Sequence, residues 1–78
     1  MMPVIKNNGI NVIEISSLKP ISFECALSLI PVEIRVSGIE LIYLDLDGTF
    51  KDFIFTIDKL NVEEEDWFDF INWSVPNN

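Results

Sequence analysis

Histidine is absent from the chain, cysteine occurs once, and only five basic side chains stand against thirteen acidic ones. Each shortage removes a class of chemistry. Without histidine there is no imidazole base, no Cys/His zinc site and no imidazole pH switch. The one thiol, Cys25, cannot close an internal disulfide, which argues against a stapled secreted scaffold. A formal charge of −8 opposes direct nucleic-acid binding, because that affinity comes from Lys and Arg displacing counterions. No apolar run approaches the ~20 residues that span a bilayer, and the first residues lack the apolar stretch of a signal peptide. Gly9, Gly38 and Gly48 are isolated, so no glycine-rich loop is available to cradle a phosphate. The expectation is a soluble, cytoplasmic protein that binds no nucleic acid and no membrane and carries no cofactor or metal.

What is present fits one small domain over residues 1–78. A chain of 78 residues buries only roughly two thirds of its unfolded surface, too little for a deep two-lobed cleft. Charge is unevenly spread. Residues 1–44 carry four acids and three bases, whereas residues 45–78 carry nine acids and two bases. Such asymmetry bears on partners and solubility rather than on fold.

The leading hydrophobic period is two. Ile21, Phe23, Cys25, Leu27 and Leu29 alternate with Ser22, Glu24, Ala26 and Ser28, which predicts a half-buried strand with Cys25 on its apolar face. Pro31 breaks it, and Val32, Ile34 and Val36 resume the alternation. Ser37-Gly38 then offers a two-residue hairpin turn that would set Arg35 across from Glu40; one long strand bulged at Gly38 is the rival. Ile39–Leu46 is apolar on both faces, as in a central strand. Asp47-Gly48 is a strong hairpin signal, leading into a strand through Phe53, Phe55 and Ile57, with Ile42 facing Phe53 and Leu44 facing Lys51. Upstream, Asn7-Asn8-Gly9 reads as a turn and Ile10–Ile15 as a strand. Asn61 as N-cap, Glu64 three residues on, and the stripe Trp67, Phe70, Ile71 predict a short helix over 62–73. The predicted class is α+β, mainly β: an antiparallel meander of four to five strands with one short C-terminal helix packed on a sheet face.

One motif suggests catalysis. Ile39–Leu44 followed by Asp45-Leu46-Asp47-Gly48-Thr49 resembles the first motif of haloacid dehalogenase-type phosphohydrolases. That resemblance implies a Mg²⁺-dependent nucleophile at Asp45 and an acid/base at Asp47. It covers eleven residues, and the twenty-nine that follow cannot supply the family's parallel-sheet core or its remaining motifs. Hairpin-turn chemistry accounts for the same letters. An EF-hand loop begun at Asp45 puts Phe50 at the glycine position and Thr56 at the glutamate position, so it fails; a loose cation site among Asp45, Asp47 and Asp52 is the weaker alternative. With no base beside any hydroxyl or thiol, the expectation is a protein that is not an enzyme.

Functional content concentrates in the tail, where Glu63, Glu64, Glu65, Asp66 and Asp69 interleave with Trp67, Phe68, Phe70 and Trp73. Four rings cannot all point inward from a three-turn helix, so Phe68 or Trp73 is expected to stay partly exposed. Carboxylates beside rings supply steering and anchorage for a basic protein. The expected partner surface comprises Asp45, Asp47, Asp52, Asp58, Glu63, Glu64, Glu65, Asp66, Phe68, Asp69 and Trp73. The expected role is a small acidic inhibitor, of the toxin-immunity or phage-encoded anti-defence type. It would cover the nucleic-acid groove of a toxin, nuclease or other effector by mimicking phosphates. The alternative is a structural subunit that forms a homodimer through apolar sheet surface.

Overall fold

The computed structural model describes residues 4–7, 11–16 and 19–76, the first of these as backbone only. Five strands, β1 (Val4–Asn7), β2 (Val12–Ser16), β3 (Glu40–Leu44), β4 (Phe50–Phe55) and β5 (Trp73–Ser74), form one sheet in sequential order. Helix α1 (Phe23–Leu29) connects β2 to β3, and the single turn α2 (Glu64–Trp67) lies between β4 and β5. The class is α+β, as expected, but the sheet is mixed. β2 and β3 run parallel, whereas the other three pairings are antiparallel. The uniform antiparallel meander is therefore corrected: a parallel pair needs a crossover, and α1 supplies it.

The stretch read as a strand through residues 21–29 is that crossover helix. The Ser22 hydroxyl accepts from the Cys25 amide at 3.1 Å, and the Ser22 carbonyl accepts from the Ala26 amide at 2.9 Å. This capping starts a helix whose buried stripe is Ala26, Leu27 and Ile30, with Phe23 beside it. Those residues follow i, i+3, i+4, i+7 spacing, so both periods were present in the sequence and the helical one wins once Ser22 caps it. Cys25 consequently points outward and is exposed. The Val32–Val36 strand is likewise absent. A 3₁₀ turn spans Val32–Ile34, and Gly38 turns the chain into β3 at φ +95°. Arg35 does not meet Glu40 across a ladder; it donates to the Ile30 carbonyl at 3.0 Å.

The β3–β4 hairpin closes one residue differently from the two-residue expectation. Asp45 N–H donates to the Thr49 carbonyl and Gly48 N–H to the Asp45 carbonyl, both at 2.9 Å. The loop is therefore Leu46-Asp47-Gly48, with Gly48 at φ +84°, a three-residue hairpin with a left-handed third position. Ile42 pairs with Asp52 and Leu41 with Phe53, and a one-residue slip exchanges the faces of a strand. One sheet face is sealed: Ile13, Ile15, Leu41, Tyr43 and Phe55 pack against Ala26, Leu27, Ile30, Trp67 and Trp73. Their alternates on β2, β3 and β4, including Glu14, Ile42 and Asp52, are only half-buried. Among the described residues, the central strand is thus covered on one side.

The predicted helix over 62–73 breaks into α2, a 3₁₀ turn at Phe70–Asn72 and β5. The N-cap is Glu63 rather than Asn61, and Asp66 reaches back to accept the Glu63 N–H at 3.0 Å. On one helix Trp67 and Trp73, six residues apart, would point roughly 120° apart. Breaking the helix brings both indoles inside, at 0% and 5% exposure. Each N–H is satisfied, by the Leu27 carbonyl at 3.0 Å and the Trp67 carbonyl at 2.9 Å. Asp69 Oδ1 takes the Ile71 amide that a continuing helix would have used. Trp67→Ala is expected to cost about 3–5 kcal/mol and Trp67→Phe less, in urea titrations followed by Trp73 fluorescence. Equal, near-zero losses would refute the packing described.

Candidate protein-binding surface

The acidic positions separate into three groups. Asp45 and Asp47 sit at the β3–β4 tip, Asp52 lies on the half-open sheet face, and Asp58 with Glu63–Asp66 follows the far end of β4. β4 alone has six residues, a length of roughly 20 Å, so the fold does not bring the eleven predicted residues into one patch.

At the tip, the dehalogenase-like letters close a turn. Asp45 Oδ1 accepts the Leu46 amide at 2.9 Å. Asp47 Oδ1 accepts both the amide and the hydroxyl of Thr49, at 2.9 and 2.7 Å, and Oδ2 pairs with Lys51 at 3.0 Å. The Thr49 hydrogen bonds, with help from Lys51, hold Asp47 down at about 2. This is the wrong direction for an acid/base working near neutral pH. Tyr43, just inside the tip, is pushed up to about 12, chiefly by burial and then by the charge of Asp45. Among the described residues no three carboxylates or thiols gather as a metal site.

The tail presents Glu63, Glu64, Glu65 and Asp69 on its exposed side. Asp66 is committed internally: Lys59 bridges it at 2.9 Å and Glu63 at 3.2 Å. Lys59 and the Glu63 amide lower the Asp66 pKa, while Asp66 and Glu63 raise that of Lys59. The rings differ from the expectation. Trp73 belongs to the core and offers no surface. Phe68 is half-buried, with the Arg35 guanidinium 5.6 Å from its ring and 5.3 Å from that of Trp67. Phe70 and Ile71, 61% and 83% exposed, are displayed beside the tail acids, with Leu60 and Val75 also exposed at the two ends of the segment. Phe70 still stacks edge-on against Phe23 and Phe53, which fixes its orientation. The break after Trp67 was the missing signal that turns it outward.

On the half-open face, strand register places Glu14 and Asp52 on either side of Ile42, with Glu40 the diagonal neighbour of both. Sequence reasoning missed Glu14 and Glu40, because an assumed hairpin register set their strands differently. Glu40 and Asp52 are diagonal neighbours on one face of the β3–β4 pair. The bond that only a protonated Glu40 can donate, then burial, then the Asp52 charge, raise the Glu40 pKa. Asp52 Oδ1 is shielded from solvent and receives no hydrogen bond.

No protein-family model, curated protein or solved structure matches the chain. Among the described residues, no helix is long and apolar enough to cross a membrane.

Two opposite pH dependences follow. Asp66, lowered, contributes stability that is present above the ordinary carboxylate range and is lost as pH falls through its folded-state value. Glu40, raised, contributes stability present below its unfolded-state value and lost as pH rises through the folded-state one. In Asp52→Asn the Glu40 titration, followed by carboxyl NMR shifts, is expected to move down toward the ordinary range. The stability lost by the wild type at this site as pH rises through the folded-state value of Glu40 should shrink. An unmoved Glu40 midpoint would refute the coupling.

Proposed function

We propose that this chain is a small acidic binding protein of the inhibitor type that acts by covering a basic surface on another protein. The observation that carries the reading is the exposed row Glu63, Glu64, Glu65 and Asp69 beside the outward Phe70 and Ile71. Among the described residues Lys59 alone forms an ion pair with this row, shared between Glu63 and Asp66, and Arg35 adds only a longer-range attraction to Glu64. Uncompensated carboxylates accelerate encounter with a cationic surface, and a neighbouring ring and aliphatic chain anchor it once there. Toxin-immunity and anti-defence roles are the biological settings that suit such occlusion, with the carboxylates standing where phosphates would bind. Asp45 and Asp47 are reassigned to closing the tip, and Trp73 to the core.

The test is affinity capture from native lysate on the immobilised protein at roughly 0.1 M and 1 M salt, where the screening length falls from about 10 to 3 Å. The expected catch is a basic protein retained at low salt and released at high salt. A variant carrying Glu63→Gln, Glu64→Gln, Glu65→Gln and Asp69→Asn should lose most of it. Retention that ignores both salt and the four substitutions would overturn the proposal.

A further inference from the structure

The face of the sheet turned away from the core, left open by the described residues, has a composition of its own. Across β2, β3 and β4 it reads Val12, Glu40, Ile54 in one row, Glu14, Ile42, Asp52 in the next, and Leu44, Phe50 in a third. All but Phe50 are half-buried by their neighbours alone, and Phe50 is 70% exposed. Among the described residues α1 and α2 both pack on the opposite side, joined by the Trp67–Leu27 bond. The face therefore has the aliphatic floor of an interface, with Glu40 and Asp52 beside Ile42; Glu14, on the other side of Ile42, stands opposite Lys6 of β1 in the register and is already partnered.

Charge decides what fits it. A second copy stacked face to face, at the ~10 Å spacing of packed sheets, would bring two sets of these carboxylates together. Glu40 and Asp52 already crowd each other within one copy. A cationic occupant meets no such penalty. The shielded Asp52 Oδ1, which accepts no hydrogen bond, is an acceptor that an ammonium or guanidinium could satisfy; buried acceptors are ordinarily paired.

We infer that the open face of β2, β3 and β4 is a docking site for an amphipathic helix of a partner protein, whose aliphatic side chains lie on Val12, Ile42, Leu44 and Ile54 while a Lys or Arg enters between Glu40 and Asp52. The opposite face shows the same geometry in use, since α1 lays its aliphatic stripe across it. This rests on the reading of the chain as a binder of basic proteins, and adds a second contact apart from the tail.

The probe is an eighteen-residue amphipathic helical peptide of Leu and Lys, titrated into the isotopically labelled full chain at about 0.15 M salt and followed by NMR. Shifts are expected at Val12, Glu40, Ile42, Asp52 and Ile54, and none from a Leu/Glu peptide of the same pattern. The double variant Glu40→Gln/Asp52→Asn should bind the Leu/Lys peptide about tenfold or more weakly, whereas Glu24→Gln/Glu33→Gln, which removes as much charge from exposed positions outside both proposed contacts, should change affinity less than about twofold. Near-UV circular dichroism of the two buried indoles reports whether either variant remains folded, and mapping on the wild type stands without them. Shifts confined to Glu63–Ile71 would overturn the open-face site while leaving the anionic-binder reading intact. Absence of any shift, equal binding of the Leu/Glu peptide, or a dimer in sedimentation that buries Ile42 and Ile54 would each overturn it. The salt-dependent capture decides the parent reading independently.

Discussion

The fold depends on the placement of one indole. Trp67 is fully buried, its N–H held by the Leu27 carbonyl at the end of α1. Its ring meets Phe55 of β4 and Trp73 of β5, both at centroid separations of 4.9 Å, and the Arg35 guanidinium lies over it at 5.3 Å. Four segments distant in sequence converge on it: the crossover helix, the connection into β3, the last sheet hairpin strand and the closing strand. A small chain has few such points, because most of its residues remain near the surface. Losing this one would release α1 and the tail together.

That convergence explains why the tail departs from its helical pattern. Helical propensity over so short a segment is weak, and tertiary packing overrides it. Sealing both Trp67 and Trp73 requires a change of direction between them, and Asp69 provides it by accepting the Ile71 amide. Phe70 and Ile71 are turned outward by the same break. The exposed apolar pair beside the acids is thus a by-product of burying two indoles, which is why counting rings on an idealised helix picked the wrong ones.

What could be read in advance follows the same division. β2, β3 and β4 were legible as strands, β3 from its apolar run up to Asp47-Gly48 and β4 from the alternation of Phe53, Phe55 and Ile57. The glycines at 38 and 48 marked real turns. Residues 21–29 satisfy two periods at once, and only the Ser22 cap separates them. The hairpin at Asp47-Gly48 was located correctly, but loop length is set by whether Gly48 takes the second or the third loop position, which the dipeptide does not specify. That single residue moved Asp52 opposite Ile42 and so hid the carboxylate group on the open face. Of the candidate surface, the acids Glu63, Glu64, Glu65 and Asp69 were legible as exposed; Glu14 and Glu40 were not, because their grouping is a product of register across a parallel pair.

Register is also what makes the open face more than leftover surface. Had Glu14, Glu40 and Asp52 been dispersed, the aliphatic rows between them would form a sticky sheet prone to stacking on itself. Set beside Ile42, Glu40 and Asp52 make self-association electrostatically costly while leaving the aliphatic rows accessible to a cationic partner. The energy of Glu40 beside Asp52 is a standing cost in the isolated chain, one that a proton relieves at low pH and a positively charged side chain can relieve at neutral pH. Among the described side chains Arg35, Lys51 and Lys59 are committed to Trp67 and Phe68, to Asp47, and to Glu63 and Asp66, and Lys6 stands opposite Glu14 rather than Glu40 or Asp52 in the register. The positive charge that best satisfies this face is therefore one that arrives from outside.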